Sequence, residues 1–217
     1  EYKNFVINDL NEYGVNFSPI IDDTRPTTNK NAIIAADYRM IKIDTLDNRS
    51  ISPKIIAKLK NQIAEKKSDA VVFSDFRHGM FNRMSVPILT KSINKNAFKV
   101  ADSQVASRWG NITEFKDFDL ITPNEREARF ALGDQDSTVG RLASLLKDSC
   151  SYKNLILKLG ERGIFCFNSD IESKSEYFSV DSFANNVVDA VGSGDALLAY
   201  STLAMMKVVY LLVGLFP

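Results

Sequence analysis

The sequence predicts an α/β fold, a mostly parallel sheet flanked by helices in the Rossmann-like manner, and three observations lead there. Short β-branched runs alternate with amphipathic stretches, the pattern of strands joined by helical crossovers. A glycine-rich turn, Val191-Gly-Ser-Gly-Asp195, runs straight into the apolar stretch from Ala196 to Met206. Polar residues recur where the predicted strands end, at Ser74-Asp75, Asp102-Ser103, Thr122-Pro-Asn124 and Lys158-Leu-Gly160. In open α/β sheets ligands gather beyond those carboxyl ends.

Residues 1–13 read as a helix and Val15 to Ile21 as a strand. Two extended segments, Asn31–Ala36 and Met40–Asp44, flank a turn near Asp37 and form a small antiparallel excursion. A helix over 52–66 leads into the strand Ala70–Ser74, and a helix over 84–94 leads into Phe98–Asp102. The strand Leu120–Thr122 is followed by a helix from Asn124 to about Leu132. A further helix, over 138–149, precedes Asn154–Lys158. Gly160 and Gly163 then turn the chain into Ile164–Phe167, and Glu176–Val180 is a final strand.

Composition narrows the function. The 217 residues carry 27 Lys+Arg and 27 Asp+Glu, with no biased tract. No basic excess advertises nucleic acid or an anionic membrane surface as a partner. Cys150 and Cys166 form no CxxC pair and are distant in sequence from the single His78, so a zinc site is not supported. Two unpatterned cysteines suit a reducing cytoplasm, the expected location. The stretch from Ala196 to Phe216 holds one charge, Lys207, and is long enough to span a bilayer. Ser193-Gly194-Asp195 at its mouth argues instead for a buried helix, followed by a second hydrophobic element, and for no membrane.

Three motifs carry chemistry. In Asp189-Ala-Val-Gly-Ser-Gly-Asp195 the glycines leave backbone N–H groups open to close approach, and the following helix aims the positive end of its dipole at them. That is an anion site. Asp195 at its edge would repel a phosphate unless it has a task, such as taking a proton from an attacking hydroxyl. In Asn124-Glu-Arg-Glu127 the spacing makes a capping box. The same amide and carboxylate suit a hydrated Mg²⁺, and both readings hold together. Lys158-Leu-Gly-Glu-Arg-Gly163 is either a plain hairpin turn or a place where a nucleotide comes close to the backbone. Arg77 and His78 read as a surface loop or as contacts to a substrate phosphate, and Phe73, Phe76 and Phe81 as core.

These residues resemble the ribokinase superfamily, the PfkB carbohydrate kinases. The family's late signature D-x-x-G-A-G-D is matched by Asp189, Gly192, Gly194 and Asp195, with Ser193 in place of the usual Ala. Its N-x-x-E motif is matched by Asn124 and Glu127, and the turn from Lys158 to Gly163 falls where the family contacts its nucleotide. Within the superfamily the chain is most similar to the branch that phosphorylates heptose 7-phosphate on the route to ADP-heptose and lipopolysaccharide. Arg25-Pro-Thr-Thr-Asn-Lys30, the segment from Arg39 to Asp44, Ser74-Asp75 and the stretch from Thr122 to Arg129 carry that similarity. Ala32 stands where the branch usually has Arg, and Asp102-Ser-Gln104 where it has Asp-Pro-Lys.

The resemblance implies a ribokinase-like fold with a β lid over 27–44, ATP and Mg²⁺ as cofactors, and a sugar or sugar-phosphate substrate. It implies Asp195 as base, with the N–H groups of Gly192, Ser193 and Gly194 as an anion hole. Lys158, Gly160, Gly163 and Asn124 would meet the nucleotide, and Glu127 with Asn124 the metal. Lys30, Arg39 and Asp75 would meet the substrate, and the lid can pair across a homodimer. The family's early glycine pair and sugar-binding aspartate have no counterpart, and the tail after Met206 does not resemble the family's continuation. Residues 1–217 are therefore expected to be an incomplete sugar-kinase domain. Two other readings stay open: a relative that binds or regulates without turnover, and a nucleoside kinase.

Overall fold

The computed structural model describes residues 2–36, 38–104, 112–168, 176–184, 186–187 and 189–214. Helix α1 (Tyr2–Glu12) opens the chain with no buried residue. Strands β1 (Asn29–Ala35) and β2 (Tyr38–Thr45) then form a separate antiparallel hairpin. Its tight turn places Ala36 at φ 48°. Asp37 lies outside the described residues.

The main sheet holds six strands in sequence order: β3 (Ala70–Asp75), β4 (Phe98–Ser103), β5 (Leu120–Ile121), β6 (Asn154–Lys158), β7 (Ile164–Asn168) and β8 (Glu176–Val180). The pairs from β3 to β6 are parallel, and β7 and β8 add antiparallel strands at one edge. Helices α2 (Pro53–Glu65), α3 (Ser85–Lys91), α4 (Glu125–Leu132) and α5 (Val139–Cys150) pack on one face. Right-handed crossovers between strands laid down in sequence order place every connecting helix on that side. The long helix α6 (Ser193–Gly214) packs against Val100, Leu120 and Ile156 on the other face.

Local chemistry sets the helix starts. The Ser52 hydroxyl accepts from the Ile55 N–H ahead of α2, with Pro53 in the first turn, and Thr138 caps α5 in the same way. Gly133, at φ 65°, ends α4 in the left-handed conformation that glycine adopts without strain.

Side-chain alternation divides the core in two. Phe73, Ala101, Ile121, Leu155 and Leu157 face α2–α5, where Leu89, Ala128, Leu142 and Leu146 meet them. Phe73, Phe81, Phe115 and Phe118 pack there in tilted and edge-to-face pairs with centroid separations of 4.9 to 6.3 Å. Val100, Leu120 and Ile156 point the opposite way, to Leu198 and Met205 of α6.

Two expectations change. Val15–Ile21 forms no strand: the Val15 N–H donates back to the Leu10 carbonyl of α1, no described strand pairs with the segment, and Pro19 lacks an N–H to give a ladder. The apolar tail is one helix rather than a buried helix and a second element, because no Gly or Pro interrupts it between Gly194 and Gly214. Its buried stripe is narrow: Leu198 and Thr202 are covered, whereas Tyr200 and Leu203 are exposed. Among the described residues no helix is long and apolar enough to cross a membrane.

Candidate active site

The carboxyl ends of β4, β5 and β6 converge on the amino end of α6. Asp102, Thr122 and Lys158 share the side-chain parity of Val100, Leu120 and Ile156, so all three project to the α6 face. Lys158 Nζ lies 3.1 and 3.2 Å from the two oxygens of Asp102. Both side chains are largely buried, at 17% and 6% exposure. Burial pushes the Asp102 carboxyl above its ordinary value, and Lys158 opposes the shift. Asp195 lies close enough to raise it further by like-charge repulsion.

The Asp189–Asp195 segment builds the junction with α6. Asp189 Oδ1 accepts the Val191 N–H at 2.9 Å, Gly192 takes φ 83°, and the Gly192 carbonyl receives the Ala196 N–H as the first bond of the helix. The Ser193 N–H and hydroxyl both turn back onto the Ala190 carbonyl, at 3.2 and 2.8 Å. Of the expected anion-hole donors, Ser193 is thus engaged in its own turn. Among the described residues the N–H groups of Gly192, Gly194 and Asp195 have no acceptor, as the first turn of a helix leaves them. Asp195 is exposed.

Asn124 and Glu127 form the expected capping box. Asn124 Oδ1 accepts the Glu127 N–H, and Glu127 Oε2 accepts the Asn124 N–H, both at 2.7 Å. Asn124 also pairs with Lys158 across the strand ends, where the Lys158 N–H donates to the Pro123 carbonyl. Among the described residues no group of three or more acidic, His or Cys side chains is disposed to hold a metal. Glu127 is buried, with one carboxylate oxygen held by the Asn124 N–H at the start of α4.

After Lys158 the chain makes a single 3₁₀ turn, Gly160–Arg162. Gly160 has φ 64° and open space on its Cβ side. Gly163 meets the protein itself, since a Cβ there would lie 2.0 Å from the Val180 carbonyl oxygen. Arg162 and Arg129 both pair with Glu125, tethering the turn to α4. Between them runs a groove of about 970 Å³ lined by Asn124, Arg126, Arg129, Phe130, Lys158 and Gly160.

The proposed substrate contacts lie apart from this cluster. Asp75 has the parity of Phe73 and turns to the opposite face of the sheet. It is 2% exposed and engaged by the Ser103 hydroxyl at 2.9 Å, the Arg77 N–H at 2.8 Å and the Arg77 guanidinium at 3.6 Å. Its surroundings are those of a loop anchor. Lys30, at the foot of the hairpin, stands 6.0 Å from the Phe76 ring centroid. His78 bonds Asn48 at 3.0 Å, and burial together with the Lys30 charge pushes its pKa down. Arg39 pairs through its backbone with Ile34, and its side chain lies outside the described residues. Asp102 reads from sequence as a polar strand-end residue, without its pairing to Lys158. The available signal was its parity with Val100, which puts a carboxylate on the same face as Lys158.

Comparison with known proteins agrees with this architecture. Residues 1–205 match the description of the pfkB family carbohydrate kinases. The Bifunctional protein HldE of Aliarcobacter butzleri is 27% identical over 194 residues, covering 86% of this chain and 38% of that protein. The Bifunctional protein HldE of Desulfatibacillum aliphaticivorans is 29% identical over 204 residues, covering 90% and 40%. The chain thus spans about 40% of the length of these curated relatives. Among solved structures, ribokinase from Giardia lamblia superposes with a TM-score of 0.73 at 17% identity, over 96% of this chain and 64% of that one. Phosphofructokinase-2 from Escherichia coli, in its tetrameric inhibited form, gives 0.71 at 15% identity, over 94% and 66%. Fold, strand-end chemistry and family match coincide: the chain belongs to the PfkB family of carbohydrate kinases.

Proposed function

We propose that the protein is an ATP-dependent, cytoplasmic kinase of a sugar phosphate of the heptose 7-phosphate type. The observation that carries the reading is Lys158, which pairs with Asn124 across the strand ends and sets its ammonium against Gly194, one residue before Asp195. Donor N–H groups, a carboxylate and a nucleotide-sized groove then adjoin one another. Asp195 accepts the proton of the attacking hydroxyl. The free N–H groups of Gly192 and Gly194, with that of Asp195, stabilise charge on the transferring phosphoryl group. Asn124, Gly160 and the groove beside α4 hold the nucleotide, while Gly163 shapes the turn. Glu127 and Asn124 orient a hydrated Mg²⁺, which when bound neutralises charge on the phosphate chain.

The HldE relatives support a heptose phosphate as the acceptor, and Lys30 and Arg39 of the hairpin are assigned to its phosphate on the resemblance to that branch. The test is ATP consumption by the full-length protein across heptose, hexose and pentose phosphates and nucleosides. Preference for heptose 7-phosphate is expected. Preference for a nucleoside overturns the substrate, and no transfer to any acceptor returns the protein to a binding or regulatory role.

The hairpin also supports a homodimer. Ile33 faces Ile41 across the ladder, Ile43 lies two residues on, and all three are half exposed, although a lone two-stranded sheet is marginally stable in water. We expect a dimer by sedimentation and a monomer for Ile41→Glu. A wild-type monomer at micromolar concentration would remove the lid from the interface.

A further inference from the structure

The Asp102–Lys158 pair does more than neutralise a buried charge. An ammonium has three donors, and Asp102 takes hydrogen bonds through both of its oxygens. Among the described residues Lys158 Nζ has no other acceptor. It also lies against Gly194: a Cβ built there would sit 3.4 Å from Nζ. The unused donor therefore stands beside the turn whose Gly192, Gly194 and Asp195 N–H groups have no acceptor among the described residues. Asp102 and Asp195 contribute two negative charges to this spot, and without Lys158 they would oppose an incoming polyphosphate. One cation, anchored from behind by a buried carboxylate, converts the turn into a place where a phosphoryl group can rest.

We propose that the Lys158 ammonium contacts the transferring phosphoryl group and that Asp102 is the positioning residue that holds it there. The inference rests on the kinase reading and adds a side-chain donor to its backbone anion hole. In the step itself, the acceptor hydroxyl oxygen bonds to the γ-phosphorus as the bond from that phosphorus to the bridging oxygen breaks. ADP leaves with the electrons of the broken bond, and the hydroxyl proton passes to Asp195. Lys158 keeps its protons and interacts more strongly as charge gathers on the equatorial and bridging oxygens. An ammonium already held in place by a buried carboxylate costs little reorganisation at that moment.

The experiment uses the full-length protein and four variants: Lys158→Met, Lys158→Arg, Asp102→Asn and the double variant Lys158→Met/Asp102→Asn. Steady-state turnover, ATP and ADP affinities by calorimetry without acceptor, and thermal melting are measured for each. Lys158→Met is expected to lower kcat by about 10²-fold, to weaken ATP binding by about tenfold, and to leave ADP binding unchanged. It is also expected to lower the melting temperature, because a buried carboxylate is left unpaired. The double variant removes that carboxylate charge, so its melting temperature recovers while kcat stays low. Lys158→Arg is expected to recover part of kcat, and Asp102→Asn to lower kcat with the ammonium still present.

If kcat recovers with stability in the double variant, or if ATP and ADP affinities fall together, Lys158 is only a counter-ion for Asp102 and the inference fails with the kinase reading intact. If the wild type neither binds ATP nor transfers phosphoryl to any acceptor, the kinase reading fails and takes the inference with it.

Discussion

Replacing Asp195 by Asn in the full-length protein is expected to lower kcat by about 10²–10⁴-fold, the usual contribution of a positioned base, while ATP affinity stays within a few-fold. The substitution is nearly isosteric, and Asp195 is exposed at the first turn of α6, so no buried group loses a partner. The helix loses a favourable acidic residue at its positive end, a small effect on stability. On the proposed mechanism, what disappears is the acceptor for the hydroxyl proton at the point where phosphorus is attacked. The proposed contacts of Gly192, Gly194 and Lys158 with the nucleotide remain, which is expected to keep binding largely intact and confine the loss to turnover. Kinetics and calorimetry on the same preparation check both halves. Equal turnover in the two proteins would remove Asp195 as the base.

Phe118→Ala is expected to destabilise the fold by about 3–5 kcal/mol, the range for emptying an aromatic site in a packed core. Phe118 is fully buried, meets Phe115 edge-on at 5.6 Å and lies 5.6 Å from Phe73. Its carbonyl also receives the Lys153 N–H just ahead of β6. The site cannot collapse easily, because a sheet strand and two further phenylalanines frame it. Such a loss is a large part of the 5–15 kcal/mol that holds a typical domain together. Phe118 lies two residues before β5 (Leu120–Ile121), so loosening it also disturbs the strand that leads to Asn124. Urea unfolding measures the effect, and a change below 1 kcal/mol would contradict the packing described.

Much of this was legible along the chain because it is local. Asn124 and Glu127 are three residues apart, and a capping box needs nothing more distant. The strand Asn154–Lys158 and the hairpin over 29–45 follow from short-range alternation. Val15–Ile21 misled because alternation describes a strand only where a neighbour completes its ladder. Asp75 and Asp102 look alike in sequence, each an acidic residue at the end of an apolar strand. Only sheet parity separates them, sending Asp75 to the Ser103 side and Asp102 to Lys158.

The sequence alone therefore determined the order of the elements from the hairpin to α6, the helix caps and the glycine turn that opens α6, all set by residues within a few positions of one another. Tertiary structure decided which side chains share a face, that the Ser193 N–H is taken by its own turn, and that Lys158 and Asp102 meet across 56 residues beneath Gly194. The physical reason is reach. Hydrogen bonds within a turn are written in neighbouring residues, whereas an ion pair between β4 and β6 exists only once the sheet has aligned their ends.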